Sequence, residues 1–228
     1  MKKVTIGSLF CAGALALSPA LTHAVVGITD PVGDILPTFG GSNPPNDLDV
    51  LDATVLYDSS TKLYRLTATL DAAPGSTTPG ALYVWGVNTG AGTTNPGFVA
   101  NGITGVRFNE VVLLQANGTG SIVNLGGGGL TTPLPGGSIA ISGNTISAIV
   151  PGSLLAATGF NPIDYTWNLW PRDVSFGTLA DFNQIADFAP NNANFTTTAG
   201  TVPEPEAYLG IITGLLFAGW VARRRAVA

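Results

Sequence analysis

The chain has 228 residues, 30 of them glycine and 16 proline, and a formal net charge of −5. Its single histidine, His23, and single cysteine, Cys11, both fall in the first two dozen residues. Histidine is the usual general base near neutral pH and the commonest zinc ligand, so serine–histidine hydrolysis, thiol proteolysis, disulfide bonding and zinc or haem ligation are not expected of the remainder.

Residues 1–24 have the layout of a secretory signal. Lys2 and Lys3 form the basic start, Val4 to Leu17 the apolar stretch, and Thr22-His23-Ala24 a small-residue cleavage site before Val25. A signal helix handled by the Sec translocon is therefore expected. Cys11 sits inside the apolar stretch directly after Phe10, which does not fit a lipid-modification site. The body from Val25 to Thr201 is long enough for one domain with its own core. Twelve acidic residues against four basic ones (Lys62, Arg65, Arg107, Arg172) leave it eight net negative charges. Nucleic acid is excluded as a partner by that balance, and cations are favoured.

In chain order, Val25 to Asp34 is a short strand breaking into a turn, followed by a loop rich in Gly, Pro and Asn to Asn46. Val50 to Tyr57 is β-branched and strand-like, and Asp58-Ser59-Ser60 is a turn. Lys62 to Asp71 alternates, with Tyr64, Leu66, Ala68 and Leu70 as the core face of a hairpin partner. Ala81 to Val87 is a strand. Asn88 to Gly102 reads as a long loop. Strands resume at Ile103 to Ala116 and Ser121 to Leu125 around an Asn117-Gly118 turn, and Gly126 to Gly129 is a connection without regular structure. Ser138 to Ser142 and Thr145 to Val150 form a second hairpin across Gly143-Asn144, and Pro151 to Ala157 is the one helical candidate of the body. Tyr165 to Trp170 is expected to stop at Pro171. Ala180 to Phe188 ends the fold, and residues 191–201 read as a polar linker.

Short strands punctuated by turns, with almost no helical periodicity, predict an all-β domain over residues 25–190, an antiparallel β-sandwich or jelly roll. The strands bearing Trp85 and Trp170 are expected to face its core. Trp167 and Trp170 fall on opposite faces of a regular strand, so one of them points outward unless something covers it.

The tail, residues 202–228, has three parts. Val202-Pro203-Glu204-Pro205 is followed by an uncharged run from Ala207 to Ala222 and then by Arg223, Arg224 and Arg225. As a helix the run is about 24 Å long, short for a bilayer but able to span it with local thinning, and the arginines hold its end on the cytoplasmic side. This tripartite arrangement resembles the PEP-CTERM sorting signal. The resemblance implies recognition by an exosortase, a membrane cysteine transpeptidase of Gram-negative bacteria associated with exopolysaccharide production. It further implies export across the inner membrane, transient anchoring through the 207–222 helix, and release to the cell surface or medium. A plain anchor that is never cleaved is the alternative.

Asp30, Asp34, Asp47 and Asp49 form the densest acidic group, with Asp52 and Asp58 beyond it. Hard cations such as calcium take six to eight oxygen ligands, so these four are the candidate metal ligands, against the simpler reading of turn-capping aspartates. Asp-Pro-x-Gly-Asp followed by Asp-Leu-Asp is also similar to the opening of secreted calcium-binding, carbohydrate-binding β-sandwiches. A glycosidase needs two facing carboxyl groups, and no spacing here picks out a pair; Glu110 is the body's only glutamate. Tyr64, Tyr83, Trp85, Tyr165, Trp167 and Trp170 are candidates either for stacking on sugars or for the core. A displayed structural or polysaccharide-associated protein, not an enzyme, is the expected function, with a carboxylate-dependent enzyme acting on exopolysaccharide as the alternative.

Overall fold

The computed structural model describes residues 27–41 and 44–202. The expected signal at 1–24, Pro203 to Pro205, the 207–222 run and Arg223 to Arg225 lie outside the described residues. Among those described, no helix is long and apolar enough to cross a membrane.

The body is all-β. Its strands are β1 (Ile28–Thr29), β2 (Val50–Asp58), β3 (Leu63–Leu70), β4 (Ala81–Asn88), β5 (Thr93–Thr94), β6 (Arg107–Phe108), β7 (Glu110–Gln115), β8 (Gly120–Asn124), β9 (Leu130–Pro133), β10 (Ile139–Ser142), β11 (Thr145–Pro151), β12 (Thr166–Asp173), β13 (Phe195–Thr196) and β14 (Thr198–Ala199), with one short helix, α1 (Pro96–Ala100). A first sheet runs β1-β2-β3-β11-β10 with β14 also on β2, and a second runs β13-β12-β4-β7-β8-β9. Pairing within both is antiparallel except for β14, which lies parallel to β2.

The alternation of β3 decides how the sheets meet. Tyr64, Leu66, Ala68 and Leu70 are all fully buried, and they share one core with Trp85, Val112, Leu114, Trp167 and Leu169 of the second sheet. Each of the leucines and the valine among them contributes roughly 1.5–3 kcal/mol through the apolar surface it removes from water. The turns obey local chemistry: Gly118 and Gly143 both adopt positive φ, at 81° and 58°, in the two hairpins expected to use them.

Four expectations change. Trp170 is buried but not in the inner core; it lies on the outer face of the second sheet, beneath Phe98, Phe108 and Phe188. Phe98 comes from the supposed long loop, Phe108 from the strand expected after it and Phe188 from the end of the fold; the stretch 88–102 contains β5 and α1, the latter capped by Asn95, whose Oδ1 accepts from Gly97 N–H (2.8 Å). The helical candidate near Pro151, by contrast, does form one turn, a 3-10 turn at Gly152–Leu154.

β12 runs straight through Pro171 to Asp173. The Pro171 carbonyl accepts from Ala186 N–H (3.0 Å), so the side of the strand that lacks an N–H faces the 185–189 segment and no ladder bond to β4 is lost.

Finally, the polar stretch 191–201 is built into the body. Asn194 bonds Arg107, Trp167 Nε1–H donates to Thr197 Oγ1 (2.9 Å), and β13 and β14 pair with β12 and β2. Its polar side chains satisfy backbone and indole groups, which composition alone does not distinguish from solvation. Val202, the first residue of the Val-Pro-Glu-Pro step, is buried and its N–H donates to Asp58 Oδ2 (3.1 Å).

Candidate metal centre

β1 is short, and the segment after it folds back over the edge between the sheets. Asp30 continues β1, with its N–H on Leu51 O (3.0 Å). Gly33, at φ 79°, turns the chain so that its N–H reaches Asp49 Oδ2 (2.7 Å), and Leu36 N–H then bonds Ala186 O (2.7 Å). That last bond seats the turn beside Asp187, a residue outside the four aspartates expected to ligate.

One carboxylate oxygen each of Asp30, Asp34 and Asp187 lies within 4.8 Å of the other two. Two oxygens held at about 2.4 Å from one calcium ion are at most about 4.8 Å apart, so the spacing admits a shared ion. Asp187 is fully buried and fixed: Oδ2 accepts from Val50 N–H (3.0 Å) and Oδ1 from Phe188 N–H (2.6 Å). Asp34 is held from outside by Asn191 Nδ2 (3.0 Å). Asp49, 3 % exposed, stands alongside, close enough for its charge to act on Asp30.

The electrostatics describe a cluster that lacks positive charge. Burial, then repulsion from Asp34 and Asp49, pushes Asp30 up to about 7. Burial, then repulsion from Asp30 and Asp34 outweighing two backbone N–H bonds, pushes Asp187 up to about 8. Burial also raises Asp49. Asp30 Oδ2, Asp34 Oδ1 and Asp49 Oδ1 are buried without a hydrogen-bond partner. Buried acceptors in that state are costly, and a hard cation would satisfy several of them at once.

No protein family, curated protein or solved structure matches this chain.

Of the four aspartates expected to ligate, the fold brings Asp30, Asp34 and Asp49 together and turns Asp47 away. Both Asp47 oxygens are occupied: Oδ1 accepts from Thr77 Oγ1 (2.5 Å) and Thr78 Oγ1 (2.7 Å), and Oδ2 from Thr78 N–H (2.9 Å). Asp47 belongs to a 3-10 turn, Asn46–Leu48, rather than to the strand. Asp47 is a turn-capping residue that anchors the 77–78 loop. Asp187 had one visible sign, a carboxylate inside the apolar run Ile185-Ala186-Asp187-Phe188-Ala189.

The other candidates resolve by burial. Tyr64, Tyr83, Trp85, Tyr165, Trp167 and Trp170 are all at most 3 % exposed, which makes them core residues and not a platform for sugars. Glu110 is fully buried, with both oxygens accepting from Ala156 N–H (3.1 and 3.0 Å).

Proposed function

We propose that this is an exported, surface-displayed protein, delivered by an exosortase-type system through its Val202 to Arg225 signal, whose β-sandwich-like body is clasped by calcium. The observation that carries the calcium reading is the convergence of Asp30, Asp34 and Asp187 within 4.8 Å, with unpartnered oxygens on Asp30 and Asp34. Export supports it, because calcium is far more abundant outside the cell than inside. The clasp would tie the segment after β1, in the first sheet, to the segment that bridges β12 in the second.

Contact with exopolysaccharide, if the displayed body makes it, falls to its polar loops, since its aromatics are buried. The enzyme reading has less support. The carboxylates of the cluster serve one another and the backbone, and the acidic lining of the apolar cavity beside Trp170 comes from Asp181 alone.

The test is thermal unfolding of the exported protein in calcium and in chelator, with its intact mass. A site saturated a hundredfold over its Kd adds about 2.7 kcal/mol, or about 5–10 °C in Tm for a body of this size. Equal Tm values in the two conditions would refute the clasp. Exported protein that still carried Arg223 to Ala228 would refute the sorting reading.

A further inference from the structure

The outer face of the second sheet is apolar as well, and its cover leaves a hole. Leu82 and Val84 of β4, Val111 and Leu113 of β7 and Trp170 of β12 point away from the inner core toward α1 and the 179–185 loop. Between sheet and cover lies a cavity of about 510 Å³. Small-molecule sites run from roughly 300 to 1,000 Å³, with mostly apolar walls and a few placed polar groups. Leu125 and Leu179, 47 % and 63 % exposed, also line it, which gives the cavity an apolar rim open to solvent.

One cation stands in that wall. Arg172 follows Trp170 on the same face of β12 and is only 8 % exposed. Its Nη2 donates to the Asp181 carbonyl (3.1 Å), while Nε is buried without an acceptor. A guanidinium presents its N–H groups as a planar fork that matches a carboxylate, and a desolvated N–H left unpaired is costly. Asp181 also lines the cavity, with Oδ2 accepting from Thr178 N–H (2.6 Å). Its negative charge disfavours a ligand carrying two charges of its own, and the apolar walls disfavour small hydrophilic anions.

We propose that this cavity is a binding site for a small amphipathic monocarboxylate, its apolar body against Trp170 and Val84 and its carboxylate on Arg172. The site is separate from the aspartate cluster and does not depend on calcium.

Octanoate, octanol and octylamine titrated into the exported protein by calorimetry test it. Octanoate is expected to bind one to one, with octanol and octylamine at least tenfold weaker. Arg172→Met is expected to weaken octanoate at least tenfold and leave octanol unchanged. Leu179→Asp, at an exposed position on the rim, is expected to fold as wild type and to weaken octanoate by repulsion. Absence of saturable octanoate binding to wild type, or wild-type affinity in Arg172→Met, overturns the proposal. Should Arg172→Met fail to fold, wild-type octanoate affinity in Leu179→Asp overturns it instead.

Discussion

Asp30 and Asp187 come from opposite ends of the folded body, and each places a carboxylate oxygen within 4.8 Å of the other's and of Asp34's. Asp30 extends a strand of the first sheet, while Asp187 lies in the segment whose neighbours Ile185 and Ala189 bridge to β12 of the second. An ion there would cross-link the two layers. Without one, burial and mutual repulsion keep protons on Asp30 and Asp187 up to about pH 7 and 8.

Asp187→Asn separates these effects. In calcium the variant is expected to lose the calcium-dependent part of its Tm. In chelator near neutral pH it is expected to melt slightly below wild type, because Asp187, pushed up to about 8, carries little charge there and the amide keeps an oxygen for Val50 N–H but not for Phe188 N–H. Calorimetry of both proteins in both conditions checks this, and an undiminished calcium response in Asp187→Asn would remove Asp187 from the ligand set.

Asp47→Ala is expected to behave differently. It leaves Thr77 Oγ1, Thr78 Oγ1 and Thr78 N–H without their acceptor, the last two in a fully buried residue. Stranding buried donors in this way costs about 2–4 kcal/mol. Because Asp47 is not in the cluster, denaturant titration should give the same loss with calcium as with chelator. A loss confined to calcium would restore Asp47 as a ligand.

Gly86 lies under the Trp170 ring: a Cβ built there falls 2.2 Å from Cη2 and Cζ3 of the indole. Gly86→Ala therefore forces Trp170 off its seat against Phe98 and Phe108, at an overpacking cost of about 1–3 kcal/mol. Reduced stability with a shifted tryptophan emission is the expected result. Wild-type stability and emission would mean that the ring is not held there.

Asp58 provides a pH dependence of known sign. Bonds from the Ser60 hydroxyl, then from the Val202 N–H, hold its carboxyl down at about 2, against an ordinary 3.8. A depressed carboxyl contributes stability that is complete above the unfolded value and is lost as pH falls through the folded one. Between pH 4 and pH 2 wild type should therefore lose stability that Asp58→Asn does not have to lose. Denaturant midpoints across that window check it, and parallel acid limbs for the two proteins would contradict it. Since Asp58 also anchors Val202, proteolysis around Val202 should begin at higher pH in the variant.

Sequence alone determined what depends on neighbours a few residues away. The period of two along Lys62 to Asp71 identified Tyr64, Leu66, Ala68 and Leu70 as a buried face, because side chains alternate across a strand whatever lies beyond it. Asn117-Gly118 and Gly143-Asn144 marked hairpins, because positive φ is inexpensive for glycine. Trp167 and Trp170, three residues apart, fall on opposite faces for the same reason. Which face would be covered, and by what, was decided only by tertiary structure: α1 and the 182–188 segment fold over Trp170 from elements distant in the chain. The aspartates divide in the same way. Their clustering in sequence suggested a site, but Asp47 was removed by donors from Thr77 and Thr78, and Asp187 was added by a segment that crosses from the other sheet. A carboxylate's partner is whichever donor or ion the closed fold brings within about 3 Å, and spacing along the chain does not encode that distance.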